Sequence, residues 1–394
     1  MIRWRRGTVT GVRREWAGAA EIMVTVDGES VRALAYPALV GSPRVGDRVL
    51  LNTTALDREL GTGGYAFVVA LPDRLPPDPP RAGPAAARAS GPQAGHIVKS
   101  RYTPLQAMVA SVDEQGSPHH ELLREAESVE GMPVVVADLH SALPAILAGL
   151  FASFRTAAAS SGGSGGSPPR ASRAASFRTA AGSVPRVCYV MQDGGALPAW
   201  FSRTVAGLRS AGWLAACVST GQSFGGDVEA VTVHSGLLAA RHVLGADVAV
   251  VTQGPGNLGT GTRWGFSGVA AGEAVNAAGV LGGRAVGSLR LSFADARSRH
   301  QGVSHHSLTA YGRVALAPCD VVVPALPDPL GSSVAAAAAP LGARHRLVTV
   351  PVDGLSDALR ACPVGLSTMG RGLDEDLEYF LAAAAAGRHA ASLC

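Results

Sequence analysis

The chain has 394 residues, 47% of them hydrophobic and 5% aromatic, and its formal net charge is +4. This length allows two or three domains with a core built mostly from Ala, Val and Leu. Every apolar run is broken before the roughly 18 residues of a membrane-spanning helix, and no signal-peptide core follows the N-terminus. The composition therefore predicts a cytoplasmic protein with no membrane partner.

The charge of the chain bears on its partners, and its cysteine content bears on its compartment. The pI is near 9, yet the arginines are spread along the chain, so the sequence does not favour nucleic acid as a partner. The five cysteines lie far apart and include no C-x-x-C pair. This pattern predicts reduced thiols in a reducing compartment.

Residues 1–71 alternate short apolar runs with turns, which is typical of β-strands. Strands are predicted at 7–12, 21–26, 31–36, 47–51 and 65–71. Between two of them lies Asp27-Gly28, where a type I′ hairpin turn needs positive φ at both central positions. We therefore predict a small N-terminal β-barrel. Residues 72–94, rich in Pro, Ala and Arg, are interpreted as a linker.

From residue 95 to 394, short β-branched runs alternate with longer helical patterns. The predicted strands are 133–138, 186–191, 213–218, 247–251, 285–291, 320–323 and 346–350, and the predicted helices include 197–211, 228–244, 268–280 and 375–386. Nearly continuous apolar strands separated by helices indicate a sheet buried on both faces. The predicted fold class is α/β, with a mostly parallel, doubly wound, Rossmann-like sheet. A low-complexity insert at about 155–184 is expected to be disordered and outside any site.

Polar loops follow five consecutive predicted strands, beginning at Asp138, Gln192, Ser219, Thr252 and Ser292. In an open parallel sheet, ligands bind beyond the carboxyl ends of the strands, because the loops converge there. The loops are rich in glycine, aspartate and histidine. The sequence therefore predicts one functional crevice at this edge of the sheet.

The loop after the strand at 247–251 contains Gly254, Gly256 and Gly259 in the spacing G-x-G-x-x-G. Pro255 removes one backbone donor, and the acidic residue expected about twenty positions later would be Glu273, inside the next predicted helix. Three interpretations stay open: a dinucleotide site, another anion or phosphate nest, and a structural turn. The candidate ligand-binding residues of this loop are Gly254, Gly256, Asn257, Gly259, Thr260 and Gly261.

The segment 295–306 concentrates histidines and charged side chains. Its histidines are candidates for acid–base chemistry or for metal binding, and a solvated loop with a histidine at a helix end is the alternative. No standard metal motif fits, because we expect the side chains of the neighbouring His305 and His306 to diverge. A metal site would then use His300 and one of this pair, completed by Asp193 or Asp227.

The predicted roles fall into two groups. The candidate catalytic residues are His300, His305, His306, Asp193 and Asp227. Asp295, Arg297 and Arg299 are candidates for holding an anion, as are Lys99, the only lysine of the chain, and Arg101. Surface salt bridges are the alternative for Lys99 and Arg101.

Four segments resemble one uncharacterised bacterial family. They read GHIVKSRYTPLQ at 95–106, FGGDVEAV at 224–231, QGPGNLGTGT at 253–262, and SFADARSRH at 292–300 followed by SHH at 304–306. On these motifs the chain resembles the domain-of-unknown-function family numbered 3866 over nearly its whole length. That family has no established activity, so the resemblance assigns no catalytic role.

Two functions remain open from the sequence. The first is an enzyme that acts on a small anionic metabolite bearing phosphate or carboxylate, with its cofactor undetermined and a divalent metal ion left open. The second is a non-catalytic regulator, in which the sheet domain senses a metabolite and the barrel binds a partner. No Walker A loop or H-E-x-x-H helix is present, and a homo-oligomer is compatible with either function.

Overall fold

The computed structural model of the chain describes residues 2–59, 63–77, 95–161 and 184–394. Residues 78–94 of the predicted linker and 162–183 of the predicted insert lie outside the described residues. Helix α3 (Leu143–Ser161) continues into the range predicted for the insert. Across the described ranges, no helix combines the length and the apolar character needed to cross a membrane.

The N-terminal strands close into a five-stranded barrel, as the sequence predicts. The elements are β1 (Trp4–Trp16), β2 (Ala19–Val26), β3 (Glu29–Ala35), α1 (Pro37–Val40), β4 (Arg48–Asn52) and β5 (Ala66–Ala70), and the strand order is β1-β2-β3-β5-β4. The turn between β2 and β3 has φ of 50° at Asp27 and 87° at Gly28. These angles match the predicted type I′ turn. The barrel is filled by aliphatic side chains such as Ile22 and Leu51.

The rest of the described chain forms an α/β domain around an eight-stranded, all-parallel sheet. The sheet strands are β8 (Pro133–Val136), β9 (Val187–Gln192), β10 (Ala216–Thr220), β11 (Val228–Ala230), β12 (Val248–Gln253), β13 (Arg284–Ser288), β16 (Asp320–Ala325) and β17 (Arg346–Pro351). The strand order is β11-β10-β9-β12-β8-β13-β16-β17. Every residue of β8, β9, β10 and β12 is buried, which explains their nearly continuous apolar sequences.

Helices and short hairpins surround this sheet. Besides α3, the helices are α2 (His120–Glu125), α4 (Arg203–Ser210), α5 (Val233–Leu238), α6 (Ala270–Val280), α7 (His305–Thr309), α8 (Leu330–Ala338), α9 (Leu355–Arg360) and α10 (Leu377–Ala391). The hairpins pair β6 (Ile97–Lys99) with β7 (Ala107–Val109), β14 (Leu291–Ser292) with β15 (Gly302–Val303), and β18 (Ser367–Thr368) with β19 (Arg371–Gly372). Both α5 and α7 continue into a π-helical turn, at Ala239–Val243 and Ala310–Val314.

One predicted helix is partly wrong. The range 228–244 was expected to be helical throughout, but its first three residues form the edge strand β11, which pairs in parallel with β10 from Val218↔Val228 to Thr220↔Ala230. The helix begins only after Thr232, whose side chain and that of Ser235 form a capping box. Pairing with a neighbouring strand outweighs the helical pattern of so short a segment.

Aromatic side chains join the barrel to the α/β domain. Nε1 of Trp16 donates to the backbone oxygen of Trp200 at 2.7 Å. The ring of Trp200 lies 6.1 Å from that of Tyr36, and Phe201 lies 6.5 Å from Tyr65, between ring centroids. Aromatic rings from both parts therefore pack together where the barrel meets the α/β domain.

Candidate functional site

Two neighbouring strands, β8 and β12, send the chain in opposite directions across the sheet. From β8 the chain passes through α3 to β9, whereas from β12 it passes through α6 to β13. Right-handed crossovers that run in opposite directions cover opposite faces, so the loops after β8 and β12 lead to opposite faces of the sheet, which is where open parallel sheets usually form a ligand crevice. Nε2 of Gln253, at the end of β12, donates to the backbone oxygen of Asp138 at 2.7 Å. The two strand ends therefore meet at Asp138.

Asp138 is the buried carboxylate of this crevice. Its Oδ2 atom lies 3.3 Å from Nδ1 of His306 and 3.5 Å from Nη1 of Arg290. Burial raises the pKa of Asp138, but the hydrogen bond from His306 and the charge of Arg290 outweigh burial and hold the pKa below its usual value. Arg290 is itself only 5% exposed. The two opposite charges therefore stabilise each other inside the protein.

Three histidine rings meet beside Asp138. His300 ends a short 3-10 turn, and His305 and His306 open α7 directly after its N-cap, Ser304. The ring centroids are 5.0 Å apart for His300 and His305, 4.8 Å for His300 and His306, and 4.4 Å for His305 and His306. The expectation that His305 and His306 diverge is wrong, because rings on adjacent positions of a first helical turn can rotate toward each other.

In His300 and in His306, one ring nitrogen has a hydrogen-bond partner within the protein. Nδ1 of His300 lies 2.7 Å from Oγ of Ser304, and Nδ1 of His306 lies 3.0 Å from Nη1 of Arg290 and 3.3 Å from Oδ2 of Asp138. Among the residues that the structure describes, Nε2 of His300 and of His306 has no hydrogen-bond partner. Nε2 of His305 is buried and likewise has no partner there. Three imidazole nitrogens are therefore available to a ligand.

Burial favours the neutral form of His300 and His305. It lowers the pKa of His300 to about 3, and nearby positive charges, Arg290 foremost, act in the same direction. Burial also lowers the pKa of His305. The third ring, that of His306, is held by packing: Phe266 stacks on it with a centroid separation of 3.7 Å and an interplanar angle of 4°. At neutral pH, His300 and His305 thus present unprotonated nitrogens, which suit a proton donor or a metal ion.

A cleft of about 500 Å³ opens beside His305. Two arginines of its wall, Arg263 and Arg313, are exposed and form no ion pair with a carboxylate in the described part of the chain. Arg299 is also exposed and unpaired there, and its charge helps to lower the pKa of His305. The other wall residues are Leu308, Thr309, Gly312, Ala337, Pro340 and Leu341. The cleft therefore carries positive charge, and His305 forms part of its wall.

The loop after β12, residues 254–265, folds back on itself. Gly259 forms an antiparallel bridge with Phe266, and the backbone N–H of Thr260 donates to the oxygen of Gly265 at 2.7 Å. The hydroxyl of Thr260 lies within the loop, 3.0 Å from that of Thr262. A side chain at Gly261 would come within 4.0 Å of the Arg299 guanidinium. The loop therefore reaches the segment that carries the histidines.

The candidate residues of this loop have different structural roles. Gly254 is buried, and an added Cβ would lie 3.1 Å from Sδ of Met191. Asn257 shapes the loop, since its Oδ1 accepts hydrogen bonds from Gln253 at 3.0 Å and Ser267 at 2.9 Å. Gly256 adopts a φ of 108°, which favours glycine. Glu273 lies in the first turn of α6, as the sequence predicts.

Arg297 is engaged by a carboxylate, unlike Arg299. Its Nε and Nη2 atoms donate to Oδ1 and Oδ2 of Asp295 at 2.8 Å and 2.7 Å. Hydrogen bonds from Arg297 hold the pKa of Asp295 well below its usual range. Arg371 lies 3.4 Å from Asp295 and 2.9 Å from the buried Asp376. This network fixes the fold of the segment before His300.

Lys99 and Asp193 tie loops together at the neighbouring strand ends. Nζ of Lys99 donates to the backbone oxygens of Gly221 at 2.5 Å and Ser223 at 2.9 Å, and it lies 3.5 Å from the carboxylate of Glu229. Burial lowers the pKa of Lys99. The Oδ1 atom of Asp193 accepts from the backbone N–H groups of Gly195 and Ala196 at 3.1 Å and 2.8 Å. Both residues are fully engaged in shaping loops.

Two further candidates lie away from the histidines. Arg101 is exposed, and its guanidinium lies over the ring of Tyr102 at 5.2 Å. Asp227 precedes β11 at the amino end of the sheet, where it accepts from the backbone N–H of Cys217 at 2.8 Å and from Arg209 at 2.9 Å. The loop after β10 returns along the strand, so the placement of Asp227 at the carboxyl edge is wrong.

Residues 221–225 have the spacing G-x-S-x-G of a nucleophile elbow. Ser223 is fully buried, however, and the chain continues into β11 and not into a helix. The central serine therefore offers no exposed nucleophile.

Four residues of the site were not identified from the sequence. Asp138 had a visible signal, since it is the first charged residue after a buried strand. Arg290 falls at the end of a predicted strand, and Arg263 and Arg313 lie in a loop and a helical segment. Only the three-dimensional fold brings these arginines to the histidines.

The comparison with known proteins identifies one family. A family model described as a protein of unknown function (DUF3866) matches residues 32–163 and 169–387. No curated protein and no solved structure matches the chain.

Proposed function

The chain belongs to the family of proteins of unknown function DUF3866, and we propose that its crevice binds and transforms a small phosphate- or carboxylate-bearing metabolite. The observation that carries this proposal is the cleft whose wall combines His305 with Arg263 and Arg313, two arginines that have no carboxylate partner among the described residues. An enzyme of this kind holds the anion at the rim and places its reacting atoms next to the histidines.

The exposed arginines are the reason for proposing an anionic ligand. A guanidinium presents planar donors that match carboxylate and phosphate oxygens, and it stays charged at every physiological pH. Arg263, Arg299 and Arg313 are exposed, and their donors are free of carboxylates in the described ranges. Arg297 is excluded from this role because Asp295 already occupies its donors.

The loop at 254–265 supports the proposal. The backbone N–H groups of Gly256, Gly259 and Gly261 donate to no residue that the structure describes, and positive φ at Gly256 and Gly261 turns the chain tightly. Backbone N–H groups without a partner in the protein can donate to a bound anion, although the N–H groups of the intervening Leu258 and Thr260 donate within the loop. Gly261 lies beside Arg299, so loop donors and guanidinium can reach one ligand.

The test is a calorimetric titration with inorganic pyrophosphate and with citrate, which represent the two classes of anion. We expect the protein to bind at least one of them, and Arg263→Ala and Arg299→Ala each to weaken binding about 10-fold or more, because a hydrogen bond to a charged group contributes about 1.5–3 kcal/mol. Arg360→Ala is the matched control, since Arg360 pairs with Asp374 on an exposed surface. Binding that is absent, or equal in all three variants, would contradict the proposal.

A further inference from the structure

We propose that His300, His305 and His306 together bind one divalent transition-metal ion of the zinc type. One ring nitrogen from each residue lies within 4.8 Å of the other two. Zinc–nitrogen bonds of about 2.0–2.1 Å in tetrahedral geometry place ligand nitrogens about 3.3 Å apart. Small rotations of the half-buried His305 ring would close the difference.

The hydrogen bonds of the rings select the nitrogens that would bind the metal. Nδ1 of His306 is occupied by Arg290 at 3.0 Å and by Asp138 at 3.3 Å, and Nδ1 of His300 lies 2.7 Å from Oγ of Ser304, so neither Nδ1 atom is free. A metal-bound histidine usually donates its other N–H to a carboxylate, carbonyl or hydroxyl group, which fixes the tautomer and the ring orientation. Nε2 of His300 and His306 are therefore the ligand atoms.

His305 contributes the third nitrogen. Its Nε2 is buried without a hydrogen-bond partner in the described part of the chain, and a buried acceptor left without a partner costs about 1–3 kcal/mol. Bonding to a metal ion removes this cost. The centroid of the His305 ring lies 5.0 Å from that of His300 and 4.4 Å from that of His306.

The ligand set decides the class of ion. Three neutral imidazoles suit zinc, copper, nickel or iron, whereas magnesium and calcium prefer oxygen ligands. Asp138 pairs with Arg290 and acts through His306, so it positions a ligand and does not itself bind the ion. Three protein ligands leave a fourth position open, as in catalytic zinc sites, and the adjacent arginines would direct an anion to it.

The inference deepens the proposed function but is tested without any anion. Untagged protein, treated with chelator and dialysed, is titrated with Zn²⁺ by calorimetry and with Co²⁺ by visible absorption. We expect one ion per chain and the intense absorption of tetrahedral Co²⁺. His305→Gln, on a half-buried ring, should weaken Zn²⁺ binding about 100-fold or more, and Asp138→Asn about 10–100-fold.

The exposed His234 supplies the matched control, because His234→Gln removes an imidazole outside the cluster. Circular dichroism verifies that each variant is folded. Unchanged Zn²⁺ affinity in His305→Gln, or no stoichiometric ion in the unsubstituted protein, would overturn the metal site. Arginine-dependent pyrophosphate or citrate binding could still be observed in that case, so the failure of one proposal is distinguished from failure of the other.

Discussion

Replacing Asp138 with alanine is expected to lower the free energy of unfolding by about 3–5 kcal/mol, because it leaves a buried charge without its partner. Arg290, 5% exposed, would keep His306 as its one side-chain partner among the described residues, with Nδ1 of His306 3.0 Å from Nη1 of Arg290. Nε2 of Gln253 donates to the backbone oxygen of Asp138 and would keep its bond. Urea unfolding followed by circular dichroism measures the loss.

The exposed ion pair between Arg48 and Asp73 is the matched control, with side chains 72% and 50% exposed. Asp73→Ala is expected to leave the free energy of unfolding nearly unchanged, because solvent screens an exposed pair. Removing both buried charges, in Asp138→Leu with Arg290→Leu, should recover part of the loss. If Asp138→Ala were no more destabilising than Asp73→Ala, the buried pair would not be part of what holds the crevice together.

Gly149→Ala is the second substitution for which we expect a large effect. The direction of the change in the free energy of unfolding is informative. In a helix interior, alanine normally stabilises by about 1 kcal/mol relative to glycine. Here α3 crosses α10 so closely that a Cβ at Gly149 would overlap the backbone oxygen of Ala384, and a Cβ at Gly387 would overlap that of Ile146. We therefore expect Gly149→Ala to destabilise the protein by about 3 kcal/mol.

Thermal and urea unfolding measure this change against Gly365→Ala, where an added Cβ meets no atom within 4 Å. The control should stay within about 1 kcal/mol of the unsubstituted protein. A stabilised Gly149→Ala variant would mean that α3 and α10 do not pack through these glycines.

Much of the fold could be predicted because local patterns and burial agree. Alternating strands and the Asp27-Gly28 turn predict the barrel, and apolar runs such as that of β12 predict a sheet covered on both faces. The edge strand β11 was missed because three residues carry too little periodicity, and their state depends on pairing with β10.

The candidate site could be predicted in part. The position of His300, His305 and His306 beyond a strand end follows from chain order, but the convergence of their rings depends on the rotamers at the start of α7. Whether an arginine forms an ion pair cannot be predicted from its residue type. Arg297 is bound by Asp295, whereas Arg299 forms no ion pair in the described ranges. Residues that look chemically suited to a ligand are often those that fold the loop itself.

Diffraction from crystals soaked in sodium tungstate, an anomalously scattering analogue of phosphate, tests most directly whether the arginines and histidines form one site. We expect an anomalous peak in the cleft beside His305, within hydrogen-bond distance of the guanidinium of Arg263 or Arg299. A crystal whose cleft is open to solvent and shows no tungstate there, or whose tungstate binds only at the opposite edge of the sheet near Asp227, would contradict it.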